Sequence, residues 1–163
     1  MSVEQQVNSD RQLVRLLQIG VVLEEVVEAR ASRHYRSLSE TERDPAIGEL
    51  LEHAAAESAE HRDRLEGLID QLDAESIPYE VIETLVDEKY GQTEPEDFDD
   101  ILYDQLHGEE TAYKFYDDLI AGIEESEASF AIDRDRVLET LREIRAEEEE
   151  GVREVTDLME NRG

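Results

Sequence analysis

Apolar residues recur at three- and four-residue steps through four long stretches of this chain, and that period commits each stretch to a helix with one buried stripe. Val14, Leu17, Val21, Ala31 and Leu38 form the stripe of a helix predicted over about 10–37. Ile47, Leu51, Ala54, Leu65, Leu68 and Leu72 repeat as an a/d seam over 45–72. Leu102, Leu106, Tyr116, Ile120 and Ile123 do so over 97–125, and Val137, Leu141, Ile144, Val155 and Leu158 over 133–160. Pro45, Pro78 and Pro95 all avoid helix interiors, where a missing N–H would break the ladder. Strand-type alternation is absent. Between the second and third long helices, Tyr79 to Tyr90 reads as a short helix stopped by Gly91. Short links make antiparallel hairpins, whereas the long middle link is a crossover. The prediction is one all-α domain over 1–163: a four-helix bundle of two helical hairpins, joined by a long crossover containing a short helix, running up-down-down-up.

Charge narrows the possible partners. The chain has 163 residues, enough for one real core. It carries 45 acidic residues against 16 Lys plus Arg, for a net charge of −29. Phosphate backbones are repelled by such a surface, so nucleic acid is excluded as a partner. The uncharged run from Leu16 to Leu23 is too short for a membrane span, and no basic-then-apolar leader opens the chain, so a cytoplasmic location is expected. With no Cys, there is no disulfide framework, thiol nucleophile, zinc ribbon or rubredoxin-type iron site. Only Lys89 and Lys114 are lysines. An acidic, lysine-poor surface stays hydrated at high salt, where screening mutes self-repulsion, and points to a salt-rich milieu. It is also a surface along which cations collect.

An internal echo carries the chemistry. Glu28, Ala31, Tyr35 and Leu38 in the first helix recur as Glu109, Ala112, Tyr116 and Leu119 in the third, at the same spacing. Chance would supply about 0.1 copies of Glu-x-x-Ala-x-x-x-Tyr in a chain of this composition, and here there are two. Extending the stripes places Glu24 and Glu28 inward on the first helix, with Ser58 and His61 on the second. Gln105 and Glu109 follow on the third, and Glu148 and Gly151 on the fourth. Buried carboxylates without partners each cost several kcal/mol, and a cluster adds mutual repulsion. Shared protons, arginines or a metal cation must neutralise them. His34, His53 and His107 read as surface or supporting residues, and the run Glu147 to Glu150 as a mainly solvated face.

With those residues in place, the chain resembles the ferritin-like di-iron carboxylate superfamily, especially its bacterioferritin and rubrerythrin branches. The resemblance implies that Glu28 and Glu109 are single-carboxylate ligands, His61 the histidine of the second helix and Glu148 the carboxylate of the fourth. Ser58 and Gly151 depart from that pattern, standing where further ligands are expected. Glu57, four residues before His61, and Glu147 are the available substitutes, and Glu24 is an extra carboxylate. The expected metal set is Glu28, Glu57, His61, Glu109 and Glu148, holding one or two ions of iron or manganese, metals that suit oxygen-rich ligands with one imidazole. Tyr35 or Tyr116 would hydrogen-bond the carboxylates. The implied function is iron oxidation, iron storage or defence against oxidants, as a ferroxidase or a peroxidase with an outside electron donor. No methionine is placed for a bacterioferritin-like haem.

A different class of function follows from the same departures: a metal-free bundle serving as a structural or protein-interaction module. Its carboxylates would be paired with arginines such as Arg30 or Arg145, or held protonated. In either case Leu13, Leu16, Ile19, Val22 and Val26 give the first helix more apolar width than one seam needs, so a homodimer through that face is expected.

Overall fold

The computed structural model describes residues 7–37, 45–90 and 101–162. Five helices appear among them and no strand: α1 (Asp10–Ser37), α2 (Pro45–Asp70), α3 (Tyr79–Tyr90), α4 (Ile101–Glu124) and α5 (Arg134–Arg162). The predicted start of the third long helix at 97–100, its preceding Gly91, Leu38 and the side chains of His34 and Tyr35 lie outside the described residues. No described helix is long and apolar enough to cross a membrane.

Local chemistry sets the helix ends. At the start of α1 the Ser9 hydroxyl accepts the Gln12 N–H at 3.1 Å, and Gln12 Oε1 accepts the Asn8 N–H at 2.8 Å. This Ser-x-x-Gln exchange satisfies backbone donors that the first helical turn leaves without carbonyls. Pro45 opens α2 at the one helical position where its missing N–H is no loss. Asp133 caps α5 through the Asp135 N–H at 3.1 Å.

Four pairings relate the long helices: α1 with α2, α4 with α5, α1 with α4, and α2 with α5. Each runs antiparallel. Gly20 approaches Leu65 while Glu24 meets His61 further along; Val7 bonds to Gly122 while Val27 faces Gly108. Arg142 reaches Glu124 while Gly151 faces Glu109, and Arg64 reaches Glu143 while His61 reaches Glu148. A Cβ on Gly20 would stand 3.1 Å from Leu65 Cδ1 and 3.2 Å from Phe115 Cε2, so the bare backbone there is what lets α1 approach both neighbours closely.

The smaller α3 packs on α1, and its Ile82 is buried. The crossover is fastened by Gln18, whose buried amide donates to the Ile77 carbonyl at 2.8 Å and accepts the Ile77 N–H at 3.1 Å. Asp10 accepts backbone N–H groups from Asp73 and Ala131, tying both flanking links to the start of α1. On the apolar face of α1, Leu13 and Val22 are core residues, and Leu16, Ile19 and Val26 pack partly buried against that core.

Most of the buried apolar residues fall into two clusters. One gathers Leu13, Val14, Leu17 and Val21 with Leu65, Leu68, Tyr116, Ile120, Leu141 and Ile144. The other joins Ala31, Ile47, Leu51, Leu102 and Val155. Between them along each long helix lies a band of buried polar residues: Glu24, Ser58, His61, Gln105, Glu109 and Glu148. Burial this deep costs free energy unless every polar group finds a partner, so the band marks the site.

Candidate metal centre

Each long helix supplies the band from one or two turns. Glu24 follows Leu17 and Val21 on the buried stripe of α1, and His61 stands one turn before Leu65 on α2. Glu109 sits one turn before Ala112 on α4, and Glu148 one turn after Ile144 on α5. The antiparallel pairings bring these turns level.

His61 is fully buried at the middle of the cluster. Its Nδ1 lies 3.2 Å from Glu24 Oε2 and 3.1 Å from Glu148 Oε1, and its Nε2 lies 3.0 Å from Glu147 Oε2. Tyr116 donates its hydroxyl to Glu24 Oε2 at 2.6 Å. Gln105 donates to Glu109 Oε1 at 2.9 Å, and the Glu148 carboxyl group lies against those of both Glu109 and Glu24. The other oxygen of Glu24, Oε1, is buried with no hydrogen-bond partner.

The electrostatics follow from that crowding. Burial pushes Glu148 well above the usual carboxylate range, and repulsion from Glu24 pushes the same way. Burial also raises Glu109. Carboxyl groups crowded together away from water repel as anions, so Glu109 and Glu148 both hold protons more tightly than free carboxylates do. For His61, burial works to lower the pKa, but the hydrogen bond and charge of Glu24, helped by Glu147, outweigh it and raise it to about 9. Burial raises the Tyr116 hydroxyl well above 10, so it stays a donor. Half-buried Glu57 rises to about 7, chiefly from burial, with His61 pulling down and Glu109 pushing up.

Of the five residues read from the sequence as ligands, the structure brings His61 and Glu148 together and sets Glu109 against Glu148. Glu57 lies at the rim, 3.4 Å from the exposed His53. Glu28 is elsewhere: its carboxylate is 31% exposed and ion-paired to Arg62 at 2.6 Å. Glu24, one turn earlier, is the α1 carboxylate in the cluster. Arg145 does not reach the band and pairs with Asp117 at the surface. Ser58 is buried in the band one turn before His61.

The absence of a side chain at Gly151 also has a local reason. A Cβ there would meet Glu109 Oε2 at 2.7 Å and Cδ at 3.0 Å, so the notch in α5 is filled by the Glu109 carboxyl group. Ala at this position gains helix propensity of up to about 1 kcal/mol but displaces Glu109 from Gln105 and Glu148. In a Glu109→Ala background the same change should be purely stabilising. A double-mutant cycle read by urea unfolding is expected to give a coupling of about 1–3 kcal/mol between positions 109 and 151. Additive effects would mean that the carboxyl group is not lodged there.

One donor atom from each of Glu24, His61 and Glu148 lies within 4.8 Å of the other two, close enough together to hold one metal ion. Two donors at right angles, each about 2.1–2.2 Å from an ion, stand roughly 3.0–3.1 Å apart. The 3.1 and 3.2 Å separations around Nδ1 are hydrogen-bond lengths and lie near that spacing as well. The donor set is oxygen-rich with one imidazole, and Glu24 Oε1 is a buried oxygen with no hydrogen-bond partner. These residues therefore fit a metal ion. No protein-family model, curated protein or solved structure matches this chain.

Proposed function

We propose that this chain is a ferritin-like four-helix bundle that binds iron or manganese among Glu24, His61, Glu109 and Glu148, and that it serves iron oxidation, storage or defence against oxidants. The antiparallel pairings of α1, α2, α4 and α5 support the bundle. The single observation that carries the metal reading is the fully buried group of Glu24, His61 and Glu148, whose donor atoms lie within 4.8 Å of one another and which includes Glu24 Oε1, a buried oxygen with no hydrogen-bond partner. A native fold leaves such an atom unsatisfied only rarely, because the lost hydrogen bond costs about 1–3 kcal/mol.

Within this reading Glu24, Glu148 and His61 Nδ1 hold the ion, Glu109 lends a further carboxylate, and Tyr116 orients Glu24 through its hydroxyl. Bound there, iron or manganese supplies one-electron chemistry toward oxygen or peroxide. The two apolar clusters flank the site, and a cation held there would take the place of the protons that Glu109 and Glu148 hold.

Thermal unfolding of the chelator-treated protein, repeated with Mn²⁺ and with Fe²⁺ under anaerobic conditions, tests this. At a free ion concentration about 100 times the dissociation constant, the native state gains about 2.7 kcal/mol. For a chain of this length that raises the midpoint by roughly 5–10 °C. Glu24→Ala and Glu148→Ala should abolish the rise.

A second reading has its own observation. His61, charged through its raised pKa, already faces Glu24, Glu147 and Glu148, and Glu109 and Glu148 already hold protons tightly. Protons thus balance much of the cluster without metal, as a structural or interaction module requires. A midpoint indifferent to both metals would establish this reading over the first.

A further inference from the structure

We infer that Glu147 is a positioning residue for the metal centre: by accepting the His61 Nε2–H it fixes the imidazole tautomer whose Nδ1 lone pair faces the cation between Glu24 and Glu148. The inference rests on the metal-binding reading above and adds which ring nitrogen binds and what holds it.

His61 shows its two nitrogens to different surroundings. Nδ1 faces Glu24 and Glu148, both buried, whereas Nε2 faces Glu147, whose side chain is 37% exposed. Glu147 and Glu148 are consecutive on α5 and leave the helix about 100° apart, so they straddle the ring and reach one nitrogen each. A metal-bound imidazole is neutral and carries its single N–H on the nitrogen away from the ion. That N–H needs an acceptor, and Glu147 Oε2 stands 3.0 Å from its nitrogen. Outer carboxylates of this kind orient a ligand ring and raise its basicity.

The reverse arrangement places the ion on Nε2, with Glu147 and the neighbouring Glu57 as ligands. It would leave the buried Glu24 Oε1 with no more partner than before. The buried donors that lie within 4.8 Å of one another among the described residues are those of Glu24, His61 and Glu148, and both carboxylates meet the ring at Nδ1, so the interior face of the ring is the binding face.

The test uses the full chain labelled with ¹⁵N-histidine and Zn²⁺ as a diamagnetic probe, with the His61 signals assigned by replacing His34, His53 and His107 in turn. The expected spectrum of the wild-type chain has a metal-bound Nδ1 and a protonated Nε2. Glu147→Ala should weaken Zn²⁺ binding by about 10–100-fold. Glu147→Gln, whose amide oxygen accepts the same N–H, should recover most of that affinity and keep the tautomer. The partial exposure of Glu147 lets both variants fold; should Glu147→Ala fail to, the wild-type tautomer and the Gln variant still decide. A metal-bound Nε2, an Ala variant with wild-type affinity and tautomer, or a Gln variant as weak as Ala would overturn the inference. So would a wild-type chain that takes up no Zn²⁺. Failure of the metal reading itself is read separately, from unfolding midpoints that ignore Mn²⁺ and Fe²⁺.

Discussion

His61→Ala is expected to lower the unfolding free energy of the metal-free protein by about 3–5 kcal/mol at pH 7, the loss seen when one partner of a buried ion pair is removed. The imidazole is charged at that pH, because its pKa is raised to about 9. It is fully buried, and three carboxyl groups lie within hydrogen-bonding distance of its two nitrogens. Its removal leaves the Glu24 and Glu148 carboxyl groups without the imidazole between them, while the Tyr116 hydroxyl still donates to Glu24. The vacated space adds to the loss, since the surrounding helices relax only partly. Urea unfolding in chelator-containing buffer measures the effect. The deficit should be largest below about pH 6.5 and shrink as pH climbs toward 9, where the wild-type ring gives up its proton. A loss under about 1 kcal/mol would mean that the ring does not hold these charges together.

The helical period was readable because burial imposes it residue by residue. Val14, Leu17 and Val21 are all core residues, as their spacing predicts, and α1 spans Asp10–Ser37 where the pattern places a helix at 10–37. Inwardness of Glu109, His61 and Glu148 was legible for the same reason: each takes its place on an apolar stripe. The choice between Glu24 and Glu28 was not. Both continue the apolar stripe of α1 in sequence, one turn apart, and periodicity cannot rank them. What separates them is which turn of α1 stands level with His61 on α2, a matter of register between helices distant in sequence. Glu24 falls level with His61, while Glu28 finds Arg62 at the edge. Gly151 illustrates a different limit. As a letter it looks like a missing ligand, and only the position of the Glu109 carboxyl group across the α4–α5 contact explains it as space. The Gln18 clamp on Ile77 is hidden likewise, since nothing local says that a glutamine amide will meet a backbone segment 59 residues away.

The metal-free protein should lose stability as pH rises from about 5 to 9, and a bound cation should flatten or reverse that slope. His61 has a folded pKa of about 9 against an ordinary 6.5. Its contribution is therefore complete below about pH 6.5 and is lost as pH climbs through 9. By itself it amounts to about 3 kcal/mol, since each tenfold gain in proton affinity is worth about 1.36 kcal/mol. Glu57 acts in the same direction through its raised pKa of about 7 against 4.5. Between those values the folded chain keeps a proton that the unfolded chain releases, so rising pH favours unfolding. Glu109 and Glu148, also raised, extend the trend. Surface repulsion from the net charge of −29 has the same sign, and working in molar salt screens it so that the buried cluster dominates. A divalent cation displaces the protons these groups hold, and its affinity consequently grows with pH, opposing the decline. Urea unfolding at pH 5.5, 7 and 8.5, with chelator and with saturating Mn²⁺, reads both slopes. Stability that increases with pH in chelator would contradict the buried proton-holding cluster, and equal slopes with and without Mn²⁺ would show that no ion competes for its protons.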